Sequence, residues 1–268
     1  MKKRIFFSFI LSLIIVFGSL GSPFASVDSN PQQKSQIKKA KIYQDIYPLI
    51  SEKDLYCSFF ILEKELDTKI IGAERQYERS LLNESDIIYL NKGEKDGLKP
   101  GQVFMVLEVG PPVENYGPLA NRRGRARIIT LEEERASARI EKSCGKIMLG
   151  NFLRPFREKE GLEGKDLGYD VPPKETPGVK GKIIHLQDNF HQLGRGHWAL
   201  INIGTEEGIQ RGQQLIIYRR VKKGVPIHIL GNSVVIDAQT HTSTIKILSC
   251  EDVIRLGDQI QFHPSQPY

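Results

Sequence analysis

Short apolar runs separated by turn-forming residues recur along most of the chain. Ile87–Leu90, Val103–Val109 and Trp198–Ile201 are rich in β-branched and aromatic residues, a composition that favours strands. Turn residues follow roughly every ten positions, and no long segment after the N-terminus repeats its apolar positions with the period of a helix. The pattern predicts an all-β fold made of small antiparallel barrels or sandwiches.

The same pattern occurs twice along the chain, with a constant shift of 111 positions. Ser85–Leu107 reads SDIIYLNKGEKDGLKPGQVFMVL, and Gly196–Tyr218 reads GHWALINIGTEEGIQRGQQLIIY. The positions that match at the centre of the two copies are Asn91 and Asn202, Gly93 and Gly204, Gly97 and Gly208, Leu98 and Ile209, and Gly101 and Gly212. A repeat of this kind means that one small folding unit is used twice. We therefore expect two tandem β modules.

Composition indicates the boundaries of the modules. Residues 155–180 are rich in Pro, Gly, Lys and Glu, which predicts a linker that buries little. Ala40–Glu52 has a weak helical pattern, whereas Leu55–Leu62 predicts a strand. The expected organisation is a signal peptide at 1–26, a flexible segment at 27–54, β module 1 at 55–154, the linker at 155–180, β module 2 at 181–262 and a tail at 263–268.

The N-terminus has the layout of a secretory signal peptide. The basic residues Lys2, Lys3 and Arg4 precede the apolar run Ile5–Leu20, and Ala25–Ser26 offers small residues for cleavage. The run of 16 residues is shorter than the roughly 20 that span a bilayer, although an uncleaved anchor is the alternative. We expect export to the periplasm, with no transmembrane segment after cleavage.

Net charge argues against a nucleic-acid partner. The formal charge of +6 includes Lys2, Lys3 and Arg4, and residues 1–26 contain no acid, so the mature chain carries +3. Nucleic-acid-binding domains are usually far more basic than this. We therefore expect a protein or cell-wall partner instead.

Three cysteines remain after export, namely Cys57, Cys144 and Cys250. An oxidising compartment permits a disulfide, and the odd number leaves one thiol without a partner in the chain. Cys144 and Cys250 occupy equivalent places in the two modules, whereas Cys57 precedes the first repeat and could reach Cys144. A Cys57–Cys144 disulfide and buried free thiols both remain open.

The loop shared by the modules reads N-x-G-x-x-x-G-[LI]-x-x-G-Q and lies between two predicted strands. Glycine permits positive φ or close backbone approach, and Asn tolerates similar geometry. We expect Leu98 and Ile209 to fold inward and close the ends of their barrels. The loop lacks the Lys-Ser/Thr end of a phosphate-binding loop and the alternating oxygen ligands of a calcium loop. We interpret the spacing that the two copies share as structural.

Arg123, Arg125 and Arg127 share one face of a predicted strand, because alternate side chains of a strand point the same way. Three guanidinium groups in a row could bind phosphates or carboxylates of a polyanion. The alternative is a solvated face whose charge is balanced by Glu132–Glu134 nearby.

Other chemistry is weakly indicated. His185, His191 and His197 are spaced too widely for a typical zinc pair, and no HExxH or GxSxG pattern occurs. Trp198 and Tyr218 permit a sugar-stacking platform, but core packing is the stronger expectation. We therefore expect no catalytic residues, no metal and no cofactor.

The glycine loop, the G-Q-strand after it and the closing I-x-x-G-D of Ile254, Gly257 and Asp258 resemble small β modules of Gram-negative envelope proteins. The modules are similar to the C-terminal domain of flagellar assembly protein T, to β domains of the rod-shape protein MreC, and to β modules found beside LysM domains. Module 1 departs from the pattern, because Asn151 replaces the closing acid. The resemblance implies a structural motif and no catalytic residues.

These observations lead to an expected function. We expect a non-enzymatic periplasmic or envelope-associated protein that acts as a binding or assembly scaffold for another envelope protein, through hairpins, sheet edges and the arginine stripe. The alternatives are a peptidoglycan- or polysaccharide-binding protein and an accessory factor of flagellar or secretion machinery.

Overall fold

The computed structural model describes residues 46–77, 80–175, 178–222 and 224–266. The expected signal peptide, residues 27–45 and the end of the tail lie outside this part. The elements in chain order are β1 Tyr47–Ile50, α1 Glu52–Cys57, β2 Phe59–Ile61, β3 Ile70–Ala73, β4 Ile87–Leu90, β5 Val103–Pro112, β6 Pro118–Leu131, β7 Ala136–Ser143, β8 Phe152–Pro155, β9 Leu162–Gly164, β10 Lys180–Leu186, β11 Trp198–Ile201, β12 Gln214–Arg219, β13 His228–Ala238, β14 Ser243–Cys250 and β15 Gln259–Phe262. The expected all-β fold class is confirmed.

Module 2 is a closed antiparallel barrel. Its strands follow the order β10-β11-β14-β13-β12-β15, and β15 pairs with β10 to complete the ring. Every second side chain points inward, and the core contains Ile183, Ile201, Leu215, Val235 and Ile260. A closed barrel has no unpaired edge strand. The contact between a sheet edge and a partner protein, which we expected from the sequence, therefore cannot form on module 2.

Module 1 repeats this topology. Its strands follow the equivalent order β3-β4-β7-β6-β5-β8, and an antiparallel bridge between Lys69 and Phe152 brings the two ends together. Its own core contains Ile88, Phe104 and Ile128. The strand β2 is an addition that pairs with β6, and the described part of module 2 has no equivalent of it.

The segment before module 1 differs from the sequence expectation. The predicted strand at Leu55–Leu62 is instead the end of helix α1 followed by β2. Ser51 starts the helix because its side chain and that of Asp54 form a reciprocal capping box. Part of the segment expected to be flexible is ordered, since β1 pairs with β9.

The expected linker at 155–180 also packs against the modules. It contributes β9 to the small sheet with β1, and Tyr169 and Val171 cover the outer face of module 2 at Ile216 and Tyr218. All described residues belong to one compact unit. Within them, the helices are too short to cross a bilayer.

Candidate functional site

The two modules meet in a shared apolar layer, which we call the junction. Helix α1, strands β1 and β2 and the β5–β6 hairpin pack against the outer faces of β10, β11, β13 and β14. Buried residues of the junction include Leu55, Phe59, Val113, Trp198, Leu200 and Ile236. The Thr244 hydroxyl also donates a hydrogen bond of 2.6 Å to the Phe59 carbonyl. The barrels are therefore held side by side by packing as well as by the connecting chain.

An ion pair between the modules lies within the junction. The guanidinium of Arg122 on β6 donates to the Asp237 carboxylate on β13 and, over 2.9 Å, to the Ser58 hydroxyl. The ammonium of Lys159 contacts the other Asp237 oxygen at 2.7 Å. Burial opposes ionisation of Asp237, but Arg122 and Lys159 outweigh it and hold the pKa of this carboxyl below its usual value.

A second polar network joins helix α1 to module 2 by hydrogen bonds. Asp54 accepts hydrogen bonds from the Trp198 indole at 2.9 Å and from the Lys246 ammonium at 2.7 Å. It also accepts hydrogen bonds from the capping residue Ser51. Burial raises the pKa of Asp54, yet Lys246 and Ser51 prevail and the net shift is downward. The position of α1 is therefore fixed by a charged side chain as well as by its apolar face.

The repeat shows which surface of module 1 is left uncovered. Ile71, Tyr89 and Ile129 are 42%, 39% and 40% exposed on the outer face of β3, β4 and β6, and we call this surface the module-1 face. Ile71 and Ile129 each occupy a β-bulge, and Tyr89 pairs with β7.

The matching surface of module 2 is buried. Ile184 and Ile236 occupy the equivalent bulges, Leu200 makes the equivalent pair with β14, and their exposures are 7%, 0% and 0%. The junction covers these residues. The same barrel surface is thus a packing interface in one module and open to solvent in the other.

A cleft opens beside the buried ion pair, with a volume of about 450 Å³. We call it the junction cleft, because residues of both modules and of the connecting segment line it. Its charged lining consists of the cations Lys64, Arg122, Arg154, Arg157 and Lys159 and the carboxylates Glu63 and Asp237. The cleft therefore has an excess of positive charge.

The two glycine loops have nearly identical geometry. Asn91 accepts a hydrogen bond of 2.7 Å from the backbone N–H of Lys69, and Asn202 accepts one of 2.6 Å from Lys182. These bonds tie each loop to the first strand of its barrel. Each asparagine therefore contributes to its barrel by joining the loop to the first strand.

The other loop residues pack in the barrel cores or shape the backbone of the loop. Leu98 and Ile209 lie in the cores of their barrels. The left-handed glycines are Gly97 and Gly101, with φ of +82° and +76°, and Gly208 and Gly212, with φ of +80° and +89°. Backbone atoms of the β6–β7 turn lie so close to Gly93, and those of the β13–β14 turn so close to Gly204, that a side chain has no space at either position.

Each arginine of the predicted stripe faces a carboxylate. Arg123 pairs with Glu108 at 2.5 Å, and Glu141 lies 2.5 Å from Arg127 and 3.3 Å from Arg125. These acids come from the neighbouring strands β5 and β7, whereas the alternative drawn from the sequence had named Glu132–Glu134. The stripe is therefore largely neutralised within its own sheet.

The aromatic and histidine candidates are placed in other surroundings. Trp198 and Tyr218 are buried, at 7% and 1% exposure, so they form no open platform for a sugar. His185 packs edge-on against Phe59 with 5.3 Å between ring centroids. In the described part of the chain, no group of three His, Cys, Asp or Glu side chains has an arrangement that would hold a metal ion.

The cysteines take one of the two arrangements that the sequence left open. Cys57 at the end of α1 and Cys144 after β7 form a disulfide, with Cα atoms 5.3 Å apart. Cys250 is a half-buried free thiol. The disulfide attaches helix α1 to module 1, while Asp54 attaches the same helix to module 2.

In comparisons with known proteins, neither a protein-family model nor a curated sequence matches the chain.

Sequence reasoning does not identify Arg154 and Arg157, which belong to the junction cleft. They fall at the end of module 1 and in the expected linker, where a charged side chain is unremarkable. A signal was nevertheless present in the repeat, because β8 reads FLRP where β15 reads QIQF. A charge that interrupts only one copy of a repeat indicates a position where the two copies differ in role.

Proposed function

We propose that the chain is a non-enzymatic exported protein of a Gram-negative periplasm or envelope that acts as a binding or assembly scaffold. The observation that carries the proposal is the module-1 face. Ile71, Tyr89 and Ile129 are exposed where the equivalent side chains of module 2 are buried against other elements. Exposed apolar clusters framed by polar residues are typical of protein interaction sites.

The composition of the module-1 face favours a protein partner. Its apolar residues are bordered on β6 and β7 by Arg127, Arg139 and Ser137, a mixture common at interface rims. The cell-wall alternative rested on the arginine stripe and on buried aromatic residues. The stripe is paired with carboxylates and the aromatic residues are inaccessible, so they lend this alternative little support. Flagellar or secretion components are one partner class that the proposal includes.

Site-specific photo-crosslinking tests this proposal. A photoreactive phenylalanine analogue would replace Ile71, Tyr89 or Ile129 one at a time in the bacterium that encodes the protein. The matched control is Leu256, which is 60% exposed on a turn of module 2. We expect one crosslinked species of the same mass from all three positions and not from Leu256. Identical products from the control, or no product from the module-1 face, would contradict the proposal.

Two further measurements separate the alternatives. Osmotic-shock fractionation with N-terminal sequencing should place the mature protein in the periplasm, with a new N-terminus near residue 26. Co-sedimentation of the mature protein with purified sacculi tests the cell-wall alternative. Binding to sacculi that survives the double variant Ile71→Ser/Tyr89→Ser would favour a cell-wall ligand over the proposed protein partner.

A further inference from the structure

Within the described part of the chain, three of the five cations in the junction cleft have no carboxylate partner. Arg122 and Lys159 are both bound to Asp237. Among the residues that the structure describes, no carboxylate lies within ion-pair distance of Lys64, Arg154 or Arg157. The cleft thus contains three positive charges that are not neutralised within the described part of the protein.

The geometry of Arg154 holds its charge at the cleft wall. Its guanidinium carbon lies 4.4 Å from the centre of the Phe60 ring, and that of Arg122 lies 4.5 Å from the same centre. Contact with the ring fixes the position of a guanidinium and leaves its N–H groups free to meet a ligand. Burial, together with the charges of Arg122 and Arg157, lowers the pKa of Arg154. An anion in the cleft would relieve this repulsion.

The repeat provides an internal comparison. Arg154 on β8 and Arg122 on β6 occupy ladder positions that are Gln261 and Ile229 in module 2. Neither of these residues is charged, and the strand order of the barrel is the same. The fold itself therefore does not require arginine at these places. The charges in module 1 serve something besides barrel formation.

We propose that the junction cleft binds a phosphate group, either free or as the monoester end of a larger molecule, through Arg154 and Arg157 with support from Lys64. A phosphate monoester carries about −1.5 to −2 charges near pH 7, so it matches several cations better than a single carboxylate does. Guanidinium groups form paired hydrogen bonds with phosphate oxygens. The volume of about 450 Å³ also leaves room for an organic part. This inference stands independently of the scaffold function.

Calorimetry and vesicle flotation test the inference on the mature protein. The probes are inorganic phosphate, glycerol 3-phosphate, and phosphatidylcholine vesicles with or without phosphatidic acid, in about 0.15 M salt to screen weak surface contacts. We expect saturable binding of at least one probe. Which probe binds best identifies the source as free phosphate, a soluble monoester or a lipid headgroup.

The variants make the test specific to the cleft. Arg154→Gln introduces the residue type that module 2 carries, and Arg157→Gln changes an exposed side chain. The matched control Arg255→Gln removes one exposed charge from a turn of module 2. We expect each cleft variant to weaken binding about tenfold, the effect of losing one charged hydrogen bond. Unchanged binding in both cleft variants, equal weakening in Arg255→Gln, or no saturable binding of any probe would overturn the inference.

Discussion

The indole of Trp198 in module 2 donates a hydrogen bond of 2.9 Å to the carboxylate of Asp54 in helix α1. Trp198 is the single tryptophan of the chain. Its fluorescence therefore reports on contact between the N-terminal elements and module 2. Denaturation followed by this signal measures how strongly the junction is held.

Loss of Asp237 should destabilise the protein strongly. Asp237→Ala would leave the guanidinium of Arg122 buried without a counter-charge, and Arg122 is only 3% exposed. Removal of one partner from a buried ion pair costs about 3–5 kcal/mol. We expect a decrease of this size in the free energy of unfolding, measured by urea denaturation with Trp198 fluorescence.

Asp252→Ala is the matched control for this prediction. Asp252 lies 3.6 Å from Arg219, and its side chain is 43% exposed. Exposed ion pairs contribute about 0–1 kcal/mol. Equal losses in Asp237→Ala and Asp252→Ala would show that the junction pair is not a special contributor to stability.

Close backbone approach at Gly204 should make it intolerant of any side chain. A Cβ atom at Gly204 would lie 2.3 Å from the Gln239 carbonyl oxygen and 2.4 Å from that of Thr240. Because backbone atoms cannot swing aside, Gly204→Ala should lower the free energy of unfolding by about 1–3 kcal/mol or more. Thermal unfolding followed by circular dichroism measures the change.

Gly208 in the same loop provides the comparison. It has φ of +80°, and a Cβ atom added there would meet no heavy atom within 4 Å. Asn adopts such a φ more readily than other residues with a side chain. Gly208→Asn should therefore cost less than about 1 kcal/mol. A loss as large as that of Gly204→Ala would contradict the assignment of the two glycines to different constraints.

The barrels were predictable from the sequence because their determinants are local. Alternating apolar residues and the glycine loops of the two copies specify strands and turns within each module. The capping box of Ser51 and Asp54 was also a readable helix signal, but the aromatic run after it favoured a strand. The aromatic run favoured a strand and the capping box favoured a helix. The capping box determined where the helix begins.

The junction could not be predicted because its contacts are distant along the chain. Arg122 and Asp237 are 115 positions apart, and nothing near either residue indicates the other. The acidic residues that pair with the arginine stripe could not be identified from the sequence for the same reason. Glu108 and Glu141 become neighbours of the stripe only through the register of β5 and β7 with β6.

Stability should fall as the pH drops below neutrality because of His185. Burial lowers the pKa of this imidazole, and Asp188 opposes the shift only in part. The unfolded chain therefore gains a proton near pH 6.5, before the folded protein does. The contribution of His185 to stability is complete above about pH 6.5. It is lost as the pH falls toward the lower pKa that His185 has in the folded protein. Urea midpoints at several pH values measure this dependence.

Variants separate His185 from other titrating groups. His185→Gln should flatten the pH dependence of the urea midpoint. His263 contributes to this dependence in the same direction, because burial also lowers its pKa. His191→Gln removes an exposed imidazole and serves as the control. If His191→Gln flattens the profile as much as His185→Gln does, burial of His185 is not the cause.

The disulfide should stabilise the attachment of helix α1 to module 1. Cys57 and Cys144 are 87 positions apart, so the bond closes a long loop in the unfolded chain. Cys144→Ser should therefore lower the free energy of unfolding by about 2–4 kcal/mol, and reductant should do the same to the wild-type protein. Cys250→Ser removes the free thiol and is the control, with little change expected. If reductant destabilises Cys144→Ser as much as it destabilises the wild-type protein, its effect does not arise from this bond.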